Sequence, residues 1–187
     1  MTLAKGIIRV ALATAFVLLI PLVAMQFTKE VTWTLDDFVV AGGLLFGTGL
    51  TYLLVARMGD SASYRLAVGV AVAAGLLLIW INLAVGIMGS EDNPANLLYG
   101  GVLAVAAVGA LVARFRPRGM ATAMFAAAFT QFLVPLLAAL IWKPEVNLGM
   151  MQVLFLNTVF SGLWVASGWL FRRSGGASLR VGQQVAG

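Results

Sequence analysis

Six long stretches without a charged residue constrain this chain more than any other feature of its sequence. They are residues 10–27, 38–56, 66–88, 97–113, 120–142 and 150–171. At a rise of 1.5 Å per residue, each reaches about 26 to 35 Å as a helix, which matches a hydrocarbon core of about 30 Å. In lipid only helices and closed barrels satisfy their own backbone, and these stretches lack the alternation of barrel strands. The sequence therefore predicts an all-α polytopic membrane protein, a bundle of six transmembrane helices.

The composition excludes most soluble and most catalytic alternatives. Hydrophobic residues make up 61% of the chain and charged residues only 10%, against roughly 45–50% and 25% in soluble domains. Cysteine and histidine are both absent, which removes thiolate nucleophiles, the commonest general base and the usual ligands of zinc, copper and haem. We therefore expect no catalytic residue, no cofactor and no metal centre, and an enzyme ranks lowest among the functions considered.

The loops between the six stretches sort the charges by side. One side carries ten cations and a single acid, Asp60; the cations are Lys5, Arg9, Arg57, Arg65, Arg114, Arg116, Arg118, Arg172, Arg173 and Arg180. The other side carries Glu30, Asp36, Asp37, Glu91, Asp92 and Glu145, with Lys29 and Lys143 as its cations. Because Lys and Arg are retained on the cytoplasmic side, both chain ends are predicted to be cytoplasmic. This asymmetry accounts for the net charge of +5 without a nucleic-acid partner.

The domain organisation follows from short loops. Residues 1–173 are predicted to form a single transmembrane domain in which consecutive helices are antiparallel neighbours, and residues 174–187 a flexible cytoplasmic tail. Lys5 and Arg9 ahead of the first stretch also resemble the start of a secretory signal peptide. The long apolar run and the poor cleavage pattern around Ala24, with Leu22 two residues before it, favour an uncleaved first helix.

Two helix starts carry recognisable caps. Thr34 precedes Asp37 by three residues, the spacing of a capping box, and Asn93 followed by Pro94 is typical of a helix N-terminus. An alternative for the second site is a hard-cation site built from Glu91, Asp92, Asn93 and Asn96. The segment lacks the spaced carboxylates and the internal glycine of a calcium loop, so the capped turn is the favoured interpretation.

The polar residues within the stretches are all uncharged from Val10 onward, which argues against a proton-coupled mechanism. They are Thr48, Thr51, Tyr52, Asn82, Thr130, Gln131, Asn157, Thr158, Ser161 and Ser167. Among them Asn82, Thr130, Gln131 and Asn157 are the candidates for a function. Their side chains could hold helices together by hydrogen bonds, or they could line a cavity for a neutral polar solute.

The second stretch is rich in glycine, with Gly42, Gly43, Gly47 and Gly49. Gly43 and Gly47 have the small-xxx-small spacing that lets two helix backbones approach closely in lipid. We expect these four glycines to be helix-packing residues. The partner helix could belong to the same chain or to a second copy.

Three segments resemble an uncharacterised family of small multi-pass bacterial membrane proteins. They are residues 32–42 (TWTLDDFVVAG), 89–96 (GSEDNPAN) and 113–120 (ARFRPRGM). The resemblance covers about residues 30 to 142 and consists of helix boundaries and caps. It implies a bacterial inner (cytoplasmic) membrane and transfers no catalytic or binding residue.

The sequence favours a non-enzymatic membrane protein that is an accessory or structural subunit of a membrane assembly. Its expected partners are the lipid bilayer and either other membrane proteins or a second copy of the chain. The alternative is a small permease or channel for a neutral solute or lipid. Asn82, Gln131, Asn157 and the two intramembrane prolines, Pro21 and Pro135, motivate that alternative.

Overall fold

A computed structural model describes the backbone of residues 2–142 and 148–185, and the side chains of residues 2–141 and 149–175. This part of the chain is helical and contains no strand. The long helices are α1 (Leu3–Phe27), α2 (Leu35–Val55), α3 (Ala62–Ala84), α4 (Leu98–Val112), α5 (Pro117–Trp142) and α6 (Leu148–Val185). Counting adjoining 3-10 turns, six helices are long and apolar enough to cross a membrane. The prediction of an all-α protein with six apolar helices is confirmed.

Two helix ends differ from those expected. The third helix ends at Ala84 and not at residue 88, because Gly86 has a φ of +67°, a left-handed conformation that closes a helix. The backbone of α6 stays helical to Val185, beyond the expected end at residue 171 and through most of the predicted tail. Residues 186 and 187, and the predicted outward-facing charges Lys143 and Glu145, lie outside the described residues.

Side-chain caps determine where α2 and α3 begin. The backbone N–H of Thr34 donates to Asp37 Oδ2 at 2.7 Å, and the N–H of Asp37 donates back to Thr34 Oγ1 at 3.4 Å. This reciprocal pair is the capping box that the sequence predicts. In α3, Ser61 Oγ accepts from the N–H of Tyr64 at 3.1 Å.

Two asparagines hold the connection between α3 and α4. Asn93 Oδ1 accepts from the N–H of Ala95 at 3.0 Å, and Asn93 Nδ2 donates to the Met88 carbonyl at 2.6 Å. Asn96 Oδ1 accepts from the N–H of Met88 at 2.9 Å, and Asn96 Nδ2 donates to the Ser90 carbonyl at 2.6 Å. The N-cap role of Asn93 is confirmed, and the side-chain oxygens of both asparagines already accept hydrogen bonds from the loop itself.

The described chain divides into two compact units, one ending at Val55 and one beginning at Ala56. In the first unit α1 and α2 form a hairpin. A Cβ added at Gly49 would lie 2.6 Å from Val10 Cγ1, and one added at Gly42 would lie 3.3 Å from Leu18 Cδ1. The α1 partner moves toward the C-terminus as the α2 glycine moves toward the N-terminus, so the two helices run antiparallel.

In the second unit α5 packs closely against both α4 and α6, and α3 packs against α6. Small side chains on α5 permit this close approach; the buried ones are Ala121, Ala123, Ala127, Ala128 and Ala138. The backbones of the consecutive helices α3 and α4 are not among the closely packed pairs. The two helices touch through side chains, because a Cβ added at Gly75 of α3 would lie 3.6 Å from Leu103 Cδ2 of α4.

Candidate functional site

Three buried polar side chains from three helices meet inside the second unit. Gln131 Nε2 on α5 donates to Asn157 Oδ1 on α6 at 2.9 Å, and Asn157 Nδ2 donates to the Tyr99 hydroxyl on α4 at 2.8 Å. The exposed fractions of the three side chains are 0%, 2% and 2%. We call Tyr99, Gln131 and Asn157 the amide–phenol cluster. It joins α4, α5 and α6 without placing a charge in the core.

One buried acceptor of this cluster has no partner among the described residues. Asn157 Nδ2 also donates to the carbonyl of Val153 in its own helix at 2.8 Å. Gln131 Oε1 is buried and has no hydrogen-bond partner among the described residues. A buried acceptor of this kind costs stability unless a donor reaches it. The cluster can therefore bind one further donor, but its groups cannot act as a nucleophile or as a general base near neutral pH.

The four predicted polar residues separate into two kinds. Gln131 and Asn157 come together in the cluster. Asn82 Nδ2 donates to the Leu78 carbonyl of its own helix at 2.7 Å, and Thr130 Oγ1 donates to the Ala126 carbonyl at 2.9 Å. Asn82 and Thr130 therefore bond within their own helices and do not join the cluster.

Tyr99 is the member of the cluster that sequence reasoning missed. It lies in the first turn of α4, where a tyrosine is ordinarily interpreted as an interface anchor. A buried tyrosine hydroxyl usually finds a hydrogen-bond partner, and two long amide side chains in later stretches were the available partners. That combination was the signal, but the sequence does not show which helices are neighbours.

Two further hydroxyl groups join distant parts of the second unit. The Tyr64 hydroxyl of α3 donates to the Phe115 carbonyl at 2.8 Å, and Ser167 Oγ of α6 donates to the Ala67 carbonyl of α3 at 2.9 Å. Phe115 belongs to the turn between α4 and α5 and has a φ of 57°, a conformation that a bulky residue adopts only under constraint. Tyr64 thus holds a strained turn in place.

A cavity of about 580 Å³ lies between the α3–α4 connection, α5 and α6. Its lining is mainly apolar and includes Pro135, Ala138 and Val153. None of the predicted polar residues lines it. Pro135 follows Gln131 by four residues and Val153 precedes Asn157 by four, so the cavity lies about one helical turn from the cluster.

The four predicted glycines of α2 occupy two different faces. Gly42 and Gly49 lie against α1, as described above. No side chain of α1 lies within 4 Å of a Cβ added at Gly43 or Gly47, and Thr51, one turn further on, donates its hydroxyl to the Gly47 carbonyl at 2.8 Å. We call Gly43, Gly47 and Thr51 the α2 small-residue face. Within the first unit, α1 leaves this face uncovered.

The fold and the site together define the class: an all-helical protein whose six apolar helices suggest a multi-pass membrane protein. Within the described residues, no group of three or more acidic, histidine or cysteine side chains is placed to hold a metal ion. No family model, no curated protein and no solved structure matches the chain. The family resemblance noted from three sequence segments therefore stays a prediction.

Proposed function

We propose that this chain is a non-enzymatic integral membrane protein of the bacterial inner membrane that serves as an accessory or structural subunit of a membrane assembly. The α2 small-residue face is the observation that carries the proposal. In lipid the hydrophobic effect does not drive helices to associate, so their association depends on close backbone contact at small residues. A face of this kind that α1 does not use is available for another transmembrane helix.

The geometry of α2 supports two separate packing surfaces. At about 100° per residue, Gly43, Gly47 and Thr51 lie about 100 to 180° around the helix from the Gly42 and Gly49 side that contacts α1. A second helix could therefore contact α2 while α1 remains in place. The Thr51 hydroxyl adds an oxygen that can accept a hydrogen bond across that contact.

Photo-crosslinking tests the subunit role. A benzophenone attached to the Val40→Cys variant reports on this side of α2, and the chain contains no other cysteine. In native membranes at native expression we expect a cross-linked protein product that Gly47→Ile abolishes. Gly100→Ile is the matched control, because a Cβ at exposed Gly100 also meets nothing within 4 Å. Reaction with lipid alone, in both backgrounds, would contradict the proposal.

The proposed topology places both chain ends in the cytoplasm. The ten basic residues on the side of the termini support it, because positive charge controls which loops cross. A fluorescent protein that folds only in the cytoplasm should be bright when fused after Gly187, and alkaline phosphatase should be active when inserted after Glu91. An active phosphatase after Gly187 would refute the orientation.

A small permease for a neutral solute or lipid is the second candidate, favoured by the cavity one turn from the amide–phenol cluster. Osmotic swelling of proteoliposomes in glycerol would test it. Ala138→Trp should block flux through the cavity, because Ala138 is 5% exposed and lines it. Leu140→Trp is the control, since Leu140 is 73% exposed and does not line the cavity. Swelling no faster than in empty liposomes would remove this candidate.

A further inference from the structure

A second concave site lies in the second unit, where α5 begins and α6 leaves its apolar stretch. It is a groove of about 550 Å³ lined by Arg118, Ala121, Thr122, Phe125 and Arg172. Both arginines are exposed and come from different helices. They stand just outside the uncharged stretches 120–142 and 150–171, so they mark the boundary between apolar and polar surroundings.

The two guanidinium groups in the groove are available for a ligand. No hydrogen bond or ion pair with the described residues engages either of them. The neighbouring cation behaves differently, because the Arg173 guanidinium lies 3.7 Å from the ring centroid of Trp169. Arg172 and Arg118 therefore face the groove while Arg173 is held by an aromatic ring.

Close contacts with glycines shape the walls of the groove. A Cβ added at Gly175 would lie 3.4 Å from Arg118 Cγ, so the stem of Arg118 lies directly on the α6 backbone. A Cβ added at Gly168 would lie 2.9 Å from Phe125 Cε1, so the Phe125 ring is seated against α6 in the same way. The groove thus has a cationic end beside an apolar wall that continues toward the membrane interior.

We propose that this groove binds the phosphodiester headgroup of an anionic phospholipid. A guanidinium group can donate two parallel hydrogen bonds to two oxygens of one phosphate. Basic pockets between transmembrane helices are known to bind lipid headgroups. One acyl chain would lie against the half-buried Phe125 ring. That apolar wall favours a lipid over a free anion, which would use only the cationic end. The inference rests on the membrane placement proposed above and is independent of the subunit role.

Lipid binding to the full purified chain tests this site. Native mass spectrometry from detergent would measure retention of phosphatidylglycerol, of zwitterionic phosphatidylcholine and of soluble glycerol 3-phosphate. We expect phosphatidylglycerol to bind most tightly, and Arg118→Gln with Arg172→Gln to weaken it about thirtyfold, as expected for two basic contacts. The matched control, Arg116→Gln with Arg173→Gln, removes the same charge and should weaken binding much less, because neither arginine lines the groove.

Three results would overturn the site. Equal weakening by both double variants would mean that overall charge, and not the groove, attracts the lipid. Equal binding of phosphatidylcholine and phosphatidylglycerol would remove the role of the anionic headgroup. Displacement by glycerol 3-phosphate at the concentration of the lipid would assign a free-anion site. Because these measurements use the isolated chain, they remain informative if the photo-crosslinking experiment fails.

Discussion

Replacing Asn157 with leucine is the sharpest test of the amide–phenol cluster. The two side chains are similar in size, so the substitution removes hydrogen bonds without opening a large cavity. Asn157→Leu deletes the bonds to Gln131 and Tyr99 and leaves both partners buried. The cluster would lose the residue that connects α4 and α5 through α6.

The expected cost follows from two contributions. Interhelical hydrogen bonds in membranes are worth about 0.6 kcal/mol on average and at most about 1.7. Each buried group left without a partner costs a further 1–3 kcal/mol or so. With two bonds lost and two partners left unpaired, we therefore expect Asn157→Leu to lower the free energy of unfolding by at least about 3 kcal/mol. Gln131→Leu should cost less, because it also removes the unpaired Gln131 Oε1.

Combining the two substitutions makes the prediction independent of the absolute values. With both Gln131 and Asn157 replaced by leucine, neither amide leaves the other unpaired. The double variant should then be more stable than the sum of the single effects predicts, by about 1 kcal/mol or more. Such coupling is expected only between side chains in contact.

Equilibrium unfolding in mixed micelles with increasing dodecyl sulfate, followed by circular dichroism, would give these free energies. Thr158→Val is the matched control, because Thr158 is the next residue on α6, is exposed, and donates its hydroxyl to the Leu154 carbonyl of its own helix at 2.8 Å. It should change stability by less than about 0.5 kcal/mol. Additive effects of the Gln131 and Asn157 substitutions, or a cost for Asn157→Leu no greater than for the control, would refute the reasoning.

Three further predictions concern packing and backbone strain, each measured by the same unfolding assay. Gly109→Ala should destabilise the protein by about 1–3 kcal/mol through overpacking between α4 and α5. Gly101→Ala should stabilise α4 by up to about 1 kcal/mol, because a Cβ added at Gly101 meets nothing within 4 Å. Equal effects of the two substitutions would contradict the close packing at Gly109. Tyr64→Phe should cost about 1 kcal/mol by freeing the Phe115 carbonyl, and no loss would argue against that bond. Arg114→Gly should stabilise by about 1 kcal/mol, because Arg114 has a φ of 49°. Destabilisation would mean that the turn is not strained.

Much of the architecture was predictable from local sequence. The six apolar stretches correspond to six long helices, because a chain in lipid must satisfy its backbone within each segment and hydropathy alone marks where it can do so. The cap at Thr34 and the N-terminal turn at Asn93 were predictable for the same reason, since donor and acceptor lie within three residues. The end of α3 was predicted four residues too late, because the apolar sequence continues past Gly86 whereas the helical backbone ends at Ala84.

The members of the cluster could be selected from sequence only in part. Gln131 and Asn157 are conspicuous as amides in apolar stretches, but Asn82 is equally conspicuous and bonds within its own helix. Hydropathy does not reveal the direction of a side chain around its helix relative to neighbours that are distant in sequence. Tyr99 and Asn157, which are bonded, lie 58 positions apart.

The sequence by itself determined the number of the apolar helices and the segments in which they lie, because each depends on residues within one segment. Only the tertiary structure decided that the backbone of α3 packs more closely against α6 than against α4. It also decided that one tyrosine and two amides share hydrogen bonds, and that Arg118 and Arg172 line one groove. These outcomes depend on which small side chains let two backbones approach. That is a property of pairs of helices, and no single stretch of sequence contains it.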